Sequence, residues 1–311
     1  MKHDERRPTA APAGPKQGLR LDRWLSLRVA PWLPGAWGGH RSAVIPILMY
    51  HAVSDEPGPA RHPYFATVTT PRRFAQQLAT LRRMGYRSIG LAEAARALQA
   101  PAEMSAKGVD TSRRVVLSFD DGFADFGRTA WPVLARAGFG ATLFAVSGLL
   151  GGRFHDGRPL LSARDLRQLS DEGVEIGSHS ATHGRLVAMS SSALRRELAD
   201  SRQVLEDCCG RAVRVFSYPY RFPQGNARFV AQLAGLLQAS GYEAGVTTAI
   251  GLARPGDPPL FLPRLPVNDF DDDPLLRAKL AGHYDWLRVA QALAGRARVL
   301  AQRHPAAGVP E

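Results

Sequence analysis

From residue 44 onward, short apolar runs rich in β-branched and aromatic residues alternate with longer stretches whose apolar positions recur at helical spacing. The short runs, Val44–Tyr50, Arg87–Gly90, Val115–Phe119, Ala141–Val146, Val174–Ser178, Val213–Tyr218, Glu243–Thr247 and Leu260–Val267, read as strands. Helices are predicted between them at Pro71–Met84, Leu91–Leu98, Phe126–Ala137, Ser162–Asp171, Ser191–Cys208 and Ala227–Ala239. Thr70 stands before Pro71, and Ser190 or Ser191 opens a later stretch, as helix starts require. Gly85, Gly138, Gly173 and Gly241 each follow a helical stretch, where a left-handed cap is needed. Seven or eight strands alternating with helices predict an α/β fold with a parallel sheet. Their regular spacing favours a closed or nearly closed, distorted (β/α)7-8 barrel over an open doubly wound sheet.

Polar residues fall at the ends of these runs. His51 follows the first, Asp120 and Asp121 the third, His179 the fifth, Pro219-Tyr220 the sixth and Asn268-Asp269 the last. In a barrel the carboxyl ends of the strands share one mouth, so these scattered positions are expected to converge there.

The ends of the chain differ from its middle. Residues 1–18 are rich in Pro and Gly and read as a disordered tail. Leu21–Val29 fits a short amphipathic helix with Trp24, Leu25 and Leu27 among Arg20, Arg23 and Arg28, which either packs on the domain or lies on lipid. Beyond Asp273 leucines at helical spacing alternate with arginines. The expected division is a basic arm over 1–41, one catalytic domain over 42–273, and a helical extension over 274–311.

Residues 1–41 hold eight Lys/Arg against three acids and residues 277–311 six against two, so the two ends carry +5 and +4 of the net +12. Charge confined to the ends points to an acidic surface such as anionic lipid; no basic stripe with interleaved aromatics marks a nucleic-acid face. Cys208 and Cys209 are adjacent and are expected to be reduced. Trp24–Trp37 is interrupted by Arg28, Pro31 and Pro34, so neither a signal peptide nor a spanning helix fits. A cytoplasmic protein, peripheral to the inner membrane at most, is the expectation.

The chemistry lies in Ser118-Phe119-Asp120-Asp121-Gly122 and His179-Ser180-Ala181-Thr182-His183. Two imidazoles and one carboxylate form a facial ligand set for a divalent ion with open positions. A four-residue spacing puts both histidines on one side of a helical turn, or of a loop entering one. One aspartate binds the ion; the other stays off it, because a carboxylate tied to a cation is a poor proton acceptor. Asp-Asp-Gly alone is ordinary turn chemistry, and His-x-x-x-His alone is weak; each closing a strand-like run, together they indicate a metal site.

These segments, with Tyr218-Pro219-Tyr220, resemble the polysaccharide deacetylases, the NodB-type domains of carbohydrate esterase family 4. The resemblance spans most of residues 44–270. It implies that Asp120 is the general base, that Asp121, His179 and His183 hold the metal, zinc by default with cobalt, nickel or iron also fitting, and that the Tyr220 backbone N–H helps bind the oxyanion. Three features depart from the usual pattern: Ser217 stands where an arginine is expected, Arg221 where a glycine is expected, and the late catalytic histidine is absent from Phe261–Asp269. Ile47-Leu48-Met49-Tyr50-His51 instead resembles the circularly permuted branch, which includes poly-N-acetylglucosamine deacetylases, and this makes His51 the candidate general acid; a buried histidine capping the first strand is the plainer reading.

Arg264 is available to orient Asp120, or to pair with Asp269 or Asp271. Asp125, three residues beyond Gly122, is expected to cap a helix outside the site. Tyr64, Phe65, Phe154, Tyr220, Phe222 and Trp286 are candidates for stacking on sugar rings, in competition with plain packing. The resemblance implies an N-acetylated glycan substrate. A metal amidase or esterase on a small substrate and a non-catalytic sugar-binding relative are the competing functions.

Overall fold

The computed structural model describes residues 20–32, 44–58, 62–100 and 113–288 together with positions 290, 291 and 293. The strands are β1 (Ile47–Tyr50), β2 (Ala52–Val53), β3 (Val68–Thr69), β4 (Arg87–Ser88), β5 (Arg114–Phe119), β6 (Thr142–Ala145), β7 (Glu175–Ser178), β8 (Val215–Ser217), β9 (Ala244–Ile250) and β10 (Leu262–Pro266). All eight runs read from the sequence are therefore strands. Seven of them, in the order β1-β10-β9-β8-β7-β6-β5, form an all-parallel sheet that closes where β1 pairs with β5, from Ile47↔Val116 to Tyr50↔Phe119. β1 also pairs with β10 at Leu48↔Leu265, so the first strand is inserted between the last one and β5. β4 pairs only with the first two residues of β5, below the point where β6 joins at Ser118, and adds nothing to the ring. The two-residue strands β2 and β3 form a separate parallel pair, too short to carry an alternation signal.

The helices are α1 (Leu21–Trp24), which continues as a π-helical turn over Leu25–Val29, α2 (Pro71–Arg83), α3 (Leu91–Gln99), α4 (Trp131–Ala137), α5 (Ala163–Asp171), α6 (Ser191–Cys209), α7 (Ala227–Ala239) and α8 (Asp273–Leu280). Caps form where the sequence places them: Thr70 accepts from the Arg73 N–H and Ser190 from the Ala193 N–H, and Gly138 ends α4 at φ 75°. α8 stops at Leu280 before a turn through Gly282, so the stretch after Asp273 is not one continuous helix. The boundary drawn at 273/274 falls inside α8. Residues 1–18 and 294–311 lie outside the described residues, and no described helix is long and apolar enough to cross a membrane. Both cysteines are free thiols.

Alternation along the strands separates two cores. Val116 of β5 joins Ile47, Phe144, Val215, Val246 and Leu262 inside the ring, whereas its neighbours Val115, Leu117 and Phe119 pack outward under the helices. α3 belongs to the inner set: its Leu91, Ala94, Ala95 and Leu98 are buried with those interior side chains. Its first N–H groups donate to Glu175 and Thr142, the first residues of β7 and β6, so α3 plugs the amino-terminal end of the barrel. Gly177 is needed because a Cβ there would stand 2.5 Å from the Phe144 ring and 2.7 Å from Val215. With its lower end plugged and its interior packed, the barrel leaves the carboxyl ends of its strands as the place for chemistry.

Candidate active site

The backbone is strained where the strands end. Among the described residues, five non-glycines have positive φ, and four of them, Asp121 (72°), Ser180 (66°), His183 (55°) and Tyr220 (57°), lie at this mouth. Left-handed conformations of such residues cost on the order of 1–3 kcal/mol each and persist only where their surroundings enforce them. Here the enforcing bonds are visible. Ser178 Oγ accepts from the Ser180 N–H at 3.1 Å, and Ser180 Oγ accepts from the His183 N–H at 3.0 Å. The buried Glu197 of α6 accepts from both the N–H and hydroxyl of Thr182. The histidines thus share a side through a tight loop with two left-handed residues, not a helical turn.

His179 Nε2 and His183 Nε2 lie 3.4 and 3.3 Å from the same oxygen of Asp121, and all three residues are buried. These separations are longer than a charge-assisted hydrogen bond of about 2.7–2.9 Å. They match the edge of a tetrahedron, about 3.4 Å, around an ion bound at about 2.0–2.1 Å. His179 Nδ1 lies 2.8 Å from the Ser217 carbonyl, which fixes that nitrogen as the donor and leaves the Nε2 lone pair facing Asp121. Burial first, then the neighbouring His179, depress His183 to about 3 against the pull of Asp121, so its imidazole is neutral and able to ligate. Burial also opposes protonation of His179, but Asp120 and Asp121 overcome it and hold that ring above its ordinary value. Two carboxylates in a buried pocket favour positive charge. Ligand type, spacing and electrostatics all fit a divalent cation on Asp121, His179 and His183.

Asp120 does not point at the same partners. Arg264, 1% exposed, donates to both its oxygens at 2.7 Å from Nη1 and Nη2. The remaining three guanidinium protons go to the Thr247 carbonyl (3.0 Å), Ser118 Oγ (3.3 Å) and Ser217 Oγ (3.2 Å), so all five donors are used. Ser217 Oγ in turn donates to Asp120 Oδ1 at 3.2 Å. Burial works to raise the Asp120 value, but the charge of Arg264, then His179, and the hydrogen bonds from Arg264 carry it well below the ordinary carboxylate range. Of the three partners open to Arg264, the structure selects Asp120. Asp269 instead accepts from Thr70, and Asp271 pairs with Lys279 at 2.7 Å. Ser217 is thus not merely a lost arginine: it bridges Asp120, Arg264 and, through its carbonyl, His179.

His51 follows β1 directly, between the ends of β5 and β10, and the Asp120 N–H donates to the carbonyl of its neighbour Tyr50. Its imidazole lies within the fields of Asp121, Asp120, Arg264 and His179, and burial above all holds its value below the ordinary one. The Tyr220 ring lies 4.5 Å from that of His183 and is 44% exposed at the rim; its carbonyl accepts from Thr248, which also receives the Phe222 N–H. Phe154 is buried against His183, Phe222 is buried against Tyr218, and Phe65 is exposed. Tyr64 and Trp286 are partly buried, the latter donating to Ser26. Asp125 makes no cap; it accepts from the Val53 N–H of β2 at 3.3 Å.

Fold and geometry define a class first: a closed parallel β/α barrel enzyme with an Asp/His/His cluster and a separately clamped carboxylate at the mouth. The family follows. Residues 107–239 match the model of the polysaccharide deacetylase family, and the chain is an enzyme carrying a polysaccharide deacetylase domain, as its motifs indicated. It is 27% identical over 214 residues to YxkH of Bacillus subtilis (strain 168), provisionally named a polysaccharide deacetylase, covering 68% of this chain and 67% of that one. Its fold is similar to that of the Streptococcus pyogenes deacetylase PplD, solved in complex with acetate, with TM-score 0.63 and 25% identity over 76% of this chain and 98% of that one. IcaB from Ammonifex degensii is similar to the same degree, with TM-score 0.63 and 25% identity over 76% and 97%. The family match ends before Arg264 and begins after His51; the structural likeness covers more of the chain.

Proposed function

We propose that this enzyme removes N-acetyl groups from N-acetylhexosamine units of a bacterial polysaccharide or glycan precursor, using a divalent cation, zinc by ligand type, held by Asp121, His179 and His183. The observation that carries this reading is the division of labour between two adjacent carboxylates. Asp121 lies against two histidine Nε2 atoms, while Asp120 is held off them by a bidentate arginine. A cation so held supplies Lewis acidity toward an acyl carbonyl and lowers the pKa of water from about 15.7 to about 7.

The chain supplies the rest. Asp120 Oδ1 already accepts from both Arg264 and Ser217, but Oδ2 keeps a lone pair beyond its one Arg264 bond, so the carboxylate accepts the proton of attacking water without leaving its clamp. Arg264 keeps that carboxylate ionised through the whole working pH range and fixes its aim. The Tyr220 backbone N–H, in a turn locked by Thr248, is assigned to the developing oxyanion, a donor fixed before the charge appears. His51 is assigned to protonate the departing amine. It rests neutral and takes up from solvent the proton it delivers, its affinity for that proton raised by the negative charge growing beside it. Tyr220 and Phe65 expose aromatic faces of the kind that stack on sugar rings. The products are acetate and a free amino sugar.

Replacing Asp120 by Asn tests the assignment. The variant should retain stoichiometric metal by elemental analysis yet lose about 10²–10⁴-fold in acetate release from N-acetylglucosamine oligomers. Near-normal release from Asp120→Asn, or full activity of the wild type after its metal is stripped, would refute the mechanism.

A further inference from the structure

The amino-terminal helix is amphipathic in the wrong sense for packing. Its inward side holds on by polar contacts: Arg23 forms a two-pronged pair with Asp272 at 2.7 and 2.8 Å, Asp22 accepts from the Tyr284 hydroxyl at 2.7 Å, and the buried Ser26 accepts from Trp286 at 3.1 Å. Its outward side is apolar. Leu21, Trp24 and Trp32 are 59%, 56% and 83% exposed, and with the exposed Arg28 they follow the three- and four-residue steps of one helical face. Large aromatic residues held outward by a polar inner face mark a surface for a partner.

We propose that this face docks the protein on an anionic phospholipid bilayer. Charge selects this occupant. Residues 1–41 carry eight Lys/Arg against three acids within a chain of net charge +12, and tryptophans flanked by arginines suit the interface between headgroups and acyl chains. The helix hangs on Asp272, Tyr284 and Trp286, in the segment that follows β10. The surface is independent of the chemistry proposed above, and its test reads binding alone.

The intact chain is sedimented with phosphatidylglycerol vesicles and with phosphatidylcholine vesicles. Binding to the first, weak binding to the second and release by high salt are expected, with a loss of about tenfold or more in partitioning for Trp24→Ser/Trp32→Ser. Unfolding midpoints verify that the variant is folded; Trp24→Phe/Trp32→Phe should keep most of the binding. Should the serine variant not fold, quenching of the intact chain's tryptophan fluorescence by brominated phosphatidylglycerol replaces it, and absence of quenching overturns the proposal. So does failure of the intact chain to bind phosphatidylglycerol, or equal binding by the folded serine variant. A dimer that the variant converts to monomer, with no vesicle binding, assigns the face to a second copy of the chain and equally overturns it.

Discussion

The two sides of the mouth are built by opposite strategies. On the β5 and β7 side, Asp121, His179 and His183 each bring one ligand atom within 4.8 Å of the others, and the buried His183 Nδ1 has no hydrogen-bond partner among the described residues. On the β10 side, Asp120 and Arg264, 144 residues apart, consume one another: every guanidinium proton has an acceptor and both carboxylate oxygens are bonded. One side carries the donor atoms that would hold a cation. The other is finished in the fold itself. On the proposed function the difference has a reason: a cation, once bound, would set the geometry of its own ligands, whereas a general base must be aimed before substrate arrives.

Removing the clamp should have the largest effect. Arg264→Met leaves Asp120 buried beside apolar surface with no counter-charge, and breaking a buried pair from one side costs about 3–5 kcal/mol. The pH dependence should change sign as well. In the wild type the Asp120 value is depressed on folding, so the pair's contribution is full above the ordinary carboxylate value of 3.8 and is lost as pH falls towards the depressed one. Without Arg264, burial dominates and raises that value, so the variant should lose stability as pH rises through it. Denaturant unfolding at pH 5 and pH 8 measures both effects. An unchanged midpoint at pH 8 would mean that the ion pair does not hold the seam together.

Much of this was legible from residue patterns, and the misses have physical causes. Most strand runs were visible because they are short and apolar, and the Asp-Asp-Gly and His-x-x-x-His segments announce ligands locally. Arg264 was ambiguous because three carboxylates stood within plausible reach, and only closure of the ring through β1 decides which one faces it. Ser217 looked like a loss, since nothing in Val213–Tyr218 reveals that its hydroxyl faces Asp120 while its carbonyl faces His179. Glu197 carries no signal at all: an acid inside a helix is usually solvated, and only the loop above α6 turns it into the support for Thr182. The exposed side of the amino-terminal helix was half visible, as Trp24 among arginines, but its polar inner face depends on partners in the last described segment.

His51 tests whether the seam contributes chemistry as well as alignment. An amide nitrogen leaves poorly unless protonated, whereas the phenolate of an activated acetate ester leaves without help. His51→Gln should therefore lower turnover of N-acetylglucosamine oligomers by about 10²–10³-fold while changing hydrolysis of 4-nitrophenyl acetate by less than about tenfold. Metal content should stay at the wild-type level. An equal loss on both substrates would assign His51 to positioning water or metal and not to the leaving group.

The smallest effect comes from Asp125, on the same loop as Asp121 but with no arginine bonded to it among the described residues. Burial pushes its carboxyl up to about 6, against the Val53 hydrogen bond and the charges of Arg158 and Arg128. This is the mirror image of Asp120. A value raised on folding contributes stability below the unfolded value of 3.8 and loses it as pH rises through about 6. The rise from 3.8 to about 6 amounts to a ceiling of ~3 kcal/mol, cut to about 1–2 kcal/mol because Asp125 borders an open cleft with Glu56, Arg128 and Arg158. Asparagine keeps the oxygen that receives the Val53 N–H and removes the buried charge. Asp125→Asn should thus stabilise the protein at pH 8 and leave it unchanged near pH 3.5, as measured by urea unfolding at the two values. A variant less stable than wild type at pH 8 would mean that Asp125 is clamped after all, by the arginines of the cleft, and that the contrast between the two carboxylates is one of degree.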